Sequence, residues 1–180
     1  MSAARVDEIV VIVGYAADRV AKRVNGQRVK VVVNPEYREG LSSSLRLGVG
    51  SLDRRSEAVV VCLADQPFVT EELIDRIIDR HLELKADAVV AASGEVVSPP
   101  VLLSRKLYGK IARLRGDKGA KAIALAEPGV ERVEVEADAL LDVDTDEQLA
   151  RARELLERRP SKAKGPGAGR RARRPPSSGK

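Results

Sequence analysis

Apolar and polar positions along the chain switch repeatedly between a period of two and a period near 3.6, which predicts strands alternating with helices. Residues 8–14 and 29–33 are short β-branched runs, and residues 58–64 are apolar without a break. A continuous run of that kind predicts a strand covered on both faces, as in a parallel sheet flanked by helices. Between the first two runs, residues 16–24 put Val20 and Val24 on one helical face, with Asn25-Gly26 in the place of a C-terminal cap. Leu45, Gly48, Val49 and Leu52 recur at i, i+3, i+4 and i+7, predicting a second helix after the loop at 36–40. A third helix is expected over 71–84, opened at Thr70, with Leu73, Ile74, Ile77, Ile78 and Leu82 inward and His81 solvated.

The later chain is less regular. Residues 86–92 predict a strand, turned by Ser93-Gly94-Glu95 into a hairpin that Ser98-Pro99-Pro100 interrupts. Ser104 is placed to cap a helix bearing Leu107, Tyr108, Ile111 and Leu114, broken at 115–120 and followed by another helix to about residue 127. Residues 130–135 alternate as a half-exposed strand would, and 139–141 form a brief apolar step before Asp142. Thr145 and Gln148 match a capping box that opens a last helix over 146–159. The whole reads as α/β: three layers around a mostly parallel sheet, with one late hairpin.

Composition changes this picture at one end only. All but seven of the 32 Lys and Arg precede residue 161, where 27 acidic residues slightly outnumber them, so the net charge of +5 belongs to the tail. Residues 1–159 are expected to form one domain. Residues 160–180, rich in Pro, Gly, Ser, Lys and Arg, are expected to be a disordered basic tail. Aromatic residues make up only 2% of the chain, too few for base-stacking platforms, which weighs against a nucleic-acid partner. A basic tail can still attract polyanions non-specifically. The single cysteine, Cys62, lies in an apolar run and reads as a small hydrophobe, and no disulfide can form within one chain. With no leader-like segment and no apolar run near 18 residues, a cytoplasmic protein without a membrane partner is expected.

Candidate chemistry is carried by acidic residues that follow apolar steps. Asp65 ends the 58–64 run, and ligands of open α/β sheets collect at the carboxyl ends of strands. A turn aspartate is the commoner role for such a residue alone. Asp142 and Asp144 follow the 139–141 step, read as a further short strand, and either share a crevice with Asp65 or cap the last helix. Converging carboxylates without His or Cys suit Mg²⁺, which takes one or two carboxylates plus substrate phosphates. The 40–44 loop runs into a helix start, where backbone N–H groups either meet an anion or are closed by a serine cap. Gly116 and Asp117 either join two helices tightly or form a further loop of a site.

In order along the chain, N-P-x-x-x-x-G-L-S-S-S-L from Asn34, L-A-D-Q-P-F-V-T from Leu63, G-D-x-G-A from Gly116 and L-D-V-D-T-D-E from Leu141 resemble the MobA-like nucleotidyltransferase family. The likeness is closest to its molybdenum cofactor cytidylyltransferase branch and covers residues 6–159. It implies a Rossmann-like fold and transfer of CMP from CTP to the phosphate of a molybdopterin-type acceptor, with Mg²⁺ as cofactor and release of pyrophosphate. GTP or another acceptor, and a non-catalytic nucleotide- or pterin-binding role, are the alternatives. A molybdoenzyme is the implied onward partner. By the same likeness Asp65 and Asp142 are catalytic, and Asp65, Asp142 and Asp144 hold the metal. Gly40, Leu41, Ser42 and Ser44 contact the nucleotide, while Ser98, Pro99, Gly116 and Asp117 lie on the acceptor side. Two departures stand out. Ser98-Pro99-Pro100 replaces the family's G-H-P step, and the opening strand with its Gly-rich, Arg- and Lys-bearing loop has no counterpart in the sequence, so an N-terminally incomplete domain is expected.

Overall fold

The structure, a computed structural model, describes residues 5–24 and 26–158. The expected tail at 160–180 and the cap residue Asn25 lie outside the described residues. Elements follow in the order β1 (Val10–Val13), α1 (Ala17–Val24), β2 (Lys30–Val33), α2 (Leu41–Gly50), β3 (Ala58–Val61), α3 (Glu71–Leu84), β4 (Ala88–Ser93), β5 (Val96–Ser104), α4 (Tyr108–Ala112), α5 (Ala120–Ala124), β6 (Glu131–Glu134) and α6 (Asp146–Arg158). The α/β character expected from the alternation is present. β1 and β2 pair in parallel as one sheet, and a second sheet has the order β3-β5-β4-β6. Within it β4 and β6 are parallel and β5 runs against its neighbours.

Period-two alternation in β4 and β5 builds both cores. Ala88, Val90, Val101 and Leu103 face one side, packed by Leu45 of α2, Ile111 of α4 and Ile123 of α5. Val89, Ala91 and Leu102 face the other, packed by Leu73 and Ile77 of α3 and Val133 of β6. These side chains are buried, each valine, leucine and isoleucine worth about 1.5–3 kcal/mol relative to exposure. The sheet is therefore the middle of three layers.

Several expectations are corrected. β3 is shorter than the apolar run that predicts it and lies at the edge of the second sheet, half-buried, while β4 is buried from Ala88 to Ala92. Apolar length records burial by any neighbour and does not separate an edge from a centre. Residues 139–141 form no strand; Ala137–Leu140 is a 3₁₀ turn that drops Leu140 into the second core. The hairpin, by contrast, is interrupted where expected: Ser98 pairs with Ala91 and Val101 with Val90, and Pro99 and Pro100, lacking N–H groups, bulge from the ladder between them within one continuous strand. Ser104 does not cap; its hydroxyl donates to Asp87, and a 3₁₀ turn at Arg105–Leu107 leads into α4. On α3 it is His81, not Leu82, that continues the inward stripe of Ile74, Ile77 and Ile78, and its Nδ1 pairs with the Ala86 carbonyl.

The ends of the sheets are fixed relative to each other. At the start of β1 the Glu8 carboxylate accepts from the Asp53 N–H (2.6 Å) and the Ser56 hydroxyl (2.9 Å), just before β3 begins. Lys30 at the start of β2 donates to the Ser51 carbonyl after α2. The carboxyl ends of β1, β2 and β3 thus share the opposite rim, with those of β4 and β6.

Candidate active site

Residues 62–67 leave β3 as a tight turn, and Pro67, without an N–H, prevents further pairing. Thr70 then caps α3 by accepting the Leu73 N–H. Across the turn, the Val143 N–H donates to the Asp65 carbonyl at 3.0 Å, which stitches the loop before α6 to the end of β3. The two acidic segments, far apart in sequence, therefore meet. Capping does not explain Asp142 or Asp144. The α6 cap is formed by Thr145, whose Oγ1 accepts the Gln148 N–H, and by Gln148, whose Oε1 accepts the N–H groups of Asp144 and Thr145. Asp142 Oδ1 instead accepts from Gln66 Nε2 at 2.8 Å.

Asp65 Oδ1 is buried without a hydrogen-bond partner among the described residues. Burial pushes the Asp65 pKa up, its own backbone N–H opposes this, and the nearby charges of Asp142 and Asp144 push it further up. A carboxylate oxygen that lacks a donor and sits among like charges is a place for a cation. No three carboxylate, His or Cys side chains among the described residues close into a metal cage of their own. This donor set fits a hard divalent ion that completes its shell with water and phosphate. Beside it, Val143, Asp144, Thr145 and Asp146 line an open polar depression of about 520 Å³.

The second part of the rim is the start of α2. Buried Asn34, at the end of β2, donates through Nδ2 to Ser43 Oγ (2.9 Å) and Ser44 Oγ (3.0 Å), and its Oδ1 accepts the Glu36 N–H. Gly40, at φ +99°, makes the turn into the helix, and a Cβ there would lie 2.5 Å from Asp117 Oδ1. The structure thus brings Gly40, Ser42, Gly116 and Asp117 together, although the family resemblance assigns them to different sides of the site. The Ser42 N–H is already taken by the Gly116 carbonyl at 3.0 Å, and its hydroxyl accepts from Arg46, so Ser42 is buried as a loop anchor. Leu41 is exposed and Ser44 half-buried, leaving these two on the accessible side of the helix start. Ser98, half-buried at the bulge, accepts from Gln66 Nε2 at 2.8 Å, beside Pro99. Gly116 and Asp117 are not in that group.

Three residues that hold the candidate site together escape sequence reasoning: Asn34, Gln66 and Arg46. The first two lie inside the motifs N-P and A-D-Q-P, which is the signal that singles them out. Arg46 shows none; its guanidinium donates to Ser42 Oγ and, at 2.6 Å, to the Leu114 carbonyl, joining α2 to the 115–119 loop.

Comparison with known proteins identifies the fold and the family. Residues 1–132 match the MobA-like NTP transferase domain, a match that ends before Asp142. Bifunctional protein GlmU of Halalkalibacterium halodurans is 33% identical over 119 residues, 66% of this chain, and the chain spans only 24% of that relative's length. Nicotine blue oxidoreductase of Paenarthrobacter nicotinovorans is 27% identical over 80% of this chain and 74% of its own. Rv0371c of Mycobacterium tuberculosis H37Rv, solved in complex with manganese, superposes with a TM-score of 0.73 at 30% identity, covering 84% of this chain and 80% of the other. The fold is accordingly the Rossmann-like one of the nucleotidyltransferases. With the matched region containing the Gly-Ser helix start, the turn at Asp65 and the 116–119 loop, the chain belongs to the MobA-like NTP transferase domain family.

Proposed function

We propose that the protein transfers a nucleotidyl group, CMP from CTP, to the phosphate of a molybdopterin-type acceptor. In this reaction an acceptor phosphate oxygen forms a bond to the α-phosphorus of the nucleotide. The bond from that phosphorus to the bridging oxygen breaks, and pyrophosphate leaves with the electron pair. The observation that carries the reading is the buried Asp65 Oδ1, without a partner among the described residues and close enough to Asp142 and Asp144 to feel their charges. Asp65 and Asp142 would hold a divalent ion, Mg²⁺ in the cell, with Asp144 beside them. Bound there, the ion supplies charge neutralisation to the phosphates and orients the displacement. The manganese complex of Rv0371c supports divalent-ion use by a relative. Gly40, Leu41 and Ser44 present the helix start to the nucleotide, and Ser98 and Pro99 shape the acceptor side beside Asp142.

The test is pyrophosphate release from CTP or GTP with Mg²⁺ in the presence of a molybdopterin-type acceptor. CTP is expected to be the better donor, and Asp65→Asn to reduce turnover by at least ~100-fold, the scale of losing one preorganised electrostatic group. Turnover undiminished in that variant would remove Asp65 from the mechanism. CTP binding without pyrophosphate release would assign the chain a non-catalytic nucleotide-binding role instead.

A further inference from the structure

We infer that Gln66 is a positioning residue that aims the Asp142 carboxylate at the metal ion, an inference that rests on the proposed metal role of Asp65 and Asp142. Gln66 is 4% exposed, and its amide nitrogen spends both hydrogens, one on Ser98 Oγ and one on Asp142 Oδ1, each at 2.8 Å. The opposite flip of the amide would set Oε1 against a carboxylate oxygen, acceptor against acceptor, so Asp142 fixes the orientation. That orientation leaves Oε1 buried with no donor among the described residues. A buried carbonyl without a donor is costly, so the arrangement is poor as a device for stability alone. It is good as a device for holding a carboxylate still. The backbone bond from Val143 to Asp65 fixes the main chain next to Asp142, and Gln66 fixes the side chain. Asp65 and its sequence neighbour Gln66 thus act on one ion, the first by contact and the second through Asp142.

Outer-shell partners of metal ligands typically contribute 10–100-fold in metal affinity. Mn²⁺ binding to the full chain, followed by electron paramagnetic resonance without nucleotide, is therefore expected to weaken at least ~10-fold in Gln66→Met. Methionine keeps the length of the side chain but donates nothing. In an Asp142→Ala background the same substitution should change Mn²⁺ affinity less than ~2-fold, since nothing remains to be aimed. Equal losses in both backgrounds, or no loss in either, would overturn the inference. Should Gln66→Met fail to fold, the wild-type glutamine reports directly: its side-chain amide hydrogens are expected to exchange with solvent at least ~10-fold faster in Asp142→Ala than in the parent, and unchanged exchange would refute the clamp. Asp65→Ala separates the two levels. If it leaves Mn²⁺ binding intact, the metal reading itself fails; if it abolishes binding while Gln66→Met does not alter it, only the role of Gln66 fails.

Discussion

At Asp65 the folded chain keeps a carboxylate where ionisation is disfavoured, first by burial and then by the neighbouring charges of Asp142 and Asp144. The folded pKa lies above the unfolded one, so the native state holds its proton to higher pH than the unfolded chain does. Stability contributed by the protonated form is complete below the unfolded value, near 4, and is lost as pH rises through the folded one. At pH 7 the ionised group therefore weakens the metal-free fold. Asp65→Asn, which abolishes the function proposed for that residue, is expected to raise the Tm of the metal-free protein at pH 7 by roughly 1–4 °C. The gain should disappear as pH falls to about 4, and Mn²⁺ should raise the Tm of the parent but not of the variant. Circular dichroism melts at the two pH values check this, and a variant less stable than its parent at pH 7 would contradict a cost of ionisation at Asp65. Gln66 follows the same pattern, since its unpartnered Oε1 is also a local sacrifice at the rim.

Among the elements, α2 carries the most consequences because it links the helix start, the 115–119 loop and both sheets. Gly40 is where that link is tightest. Its φ of +99° disfavours any side chain, and a Cβ would also meet the Gly116 carbonyl at 2.7 Å. Gly40→Ala is expected to destabilise by about 1–3 kcal/mol in denaturant titrations and to weaken nucleotide binding by shifting the 116–117 backbone. Gly50→Ala, at the end of the same helix with open space around the new Cβ, is expected to be neutral or stabilising by up to about 1 kcal/mol. Equal effects at the two positions would show that helix propensity, not the contact with Gly116 and Asp117, governs Gly40. The elements also show what periodicity reveals. The hairpin, α3 and the capping box of α6 are legible because their signals are local: a glycine at positive φ in the turn, an acidic first helical turn, a threonine three residues before a glutamine. The edge position of β3 and the 3₁₀ turn at Ala137–Leu140 are not, since both depend on which surfaces other segments present. Within the site, Asp65 and Asp142 are legible as acidic steps after apolar ones, whereas the clamp by Gln66 is a contact across 76 positions that no spacing encodes. Swapping His81 for Leu82 in the inward stripe is a one-residue error of phase, resolved only by the Ala86 carbonyl that receives the imidazole.

For the molecule as a whole, the division into two sheets governs how stability is distributed. Among the described residues, β1 and β2 pair with each other and with no strand of the second sheet. Neither buried cluster counts a residue of β1 or β2 among its members, and Val31 and Val33 of β2 are exposed. The β1–β2 pair is held instead by α2, where Gly48 lets the helix approach Ile12, and by the polar ties of Glu8 and Lys30. A unit with so little buried apolar area opens before the rest of the fold. Native-state hydrogen exchange is therefore expected to show amides of β2 opening at a free energy several kcal/mol below that of β4 and β5. Glu8→Ala removes an acceptor shared by the Asp53 N–H and the Ser56 hydroxyl, and should lower protection of β1 and β2 by about 1–2 kcal/mol while leaving β4 and β5 unchanged. Uniform loss of protection across both sheets would mean that they unfold as one unit, and Glu8 would then be a tie within a single core rather than a hinge between two.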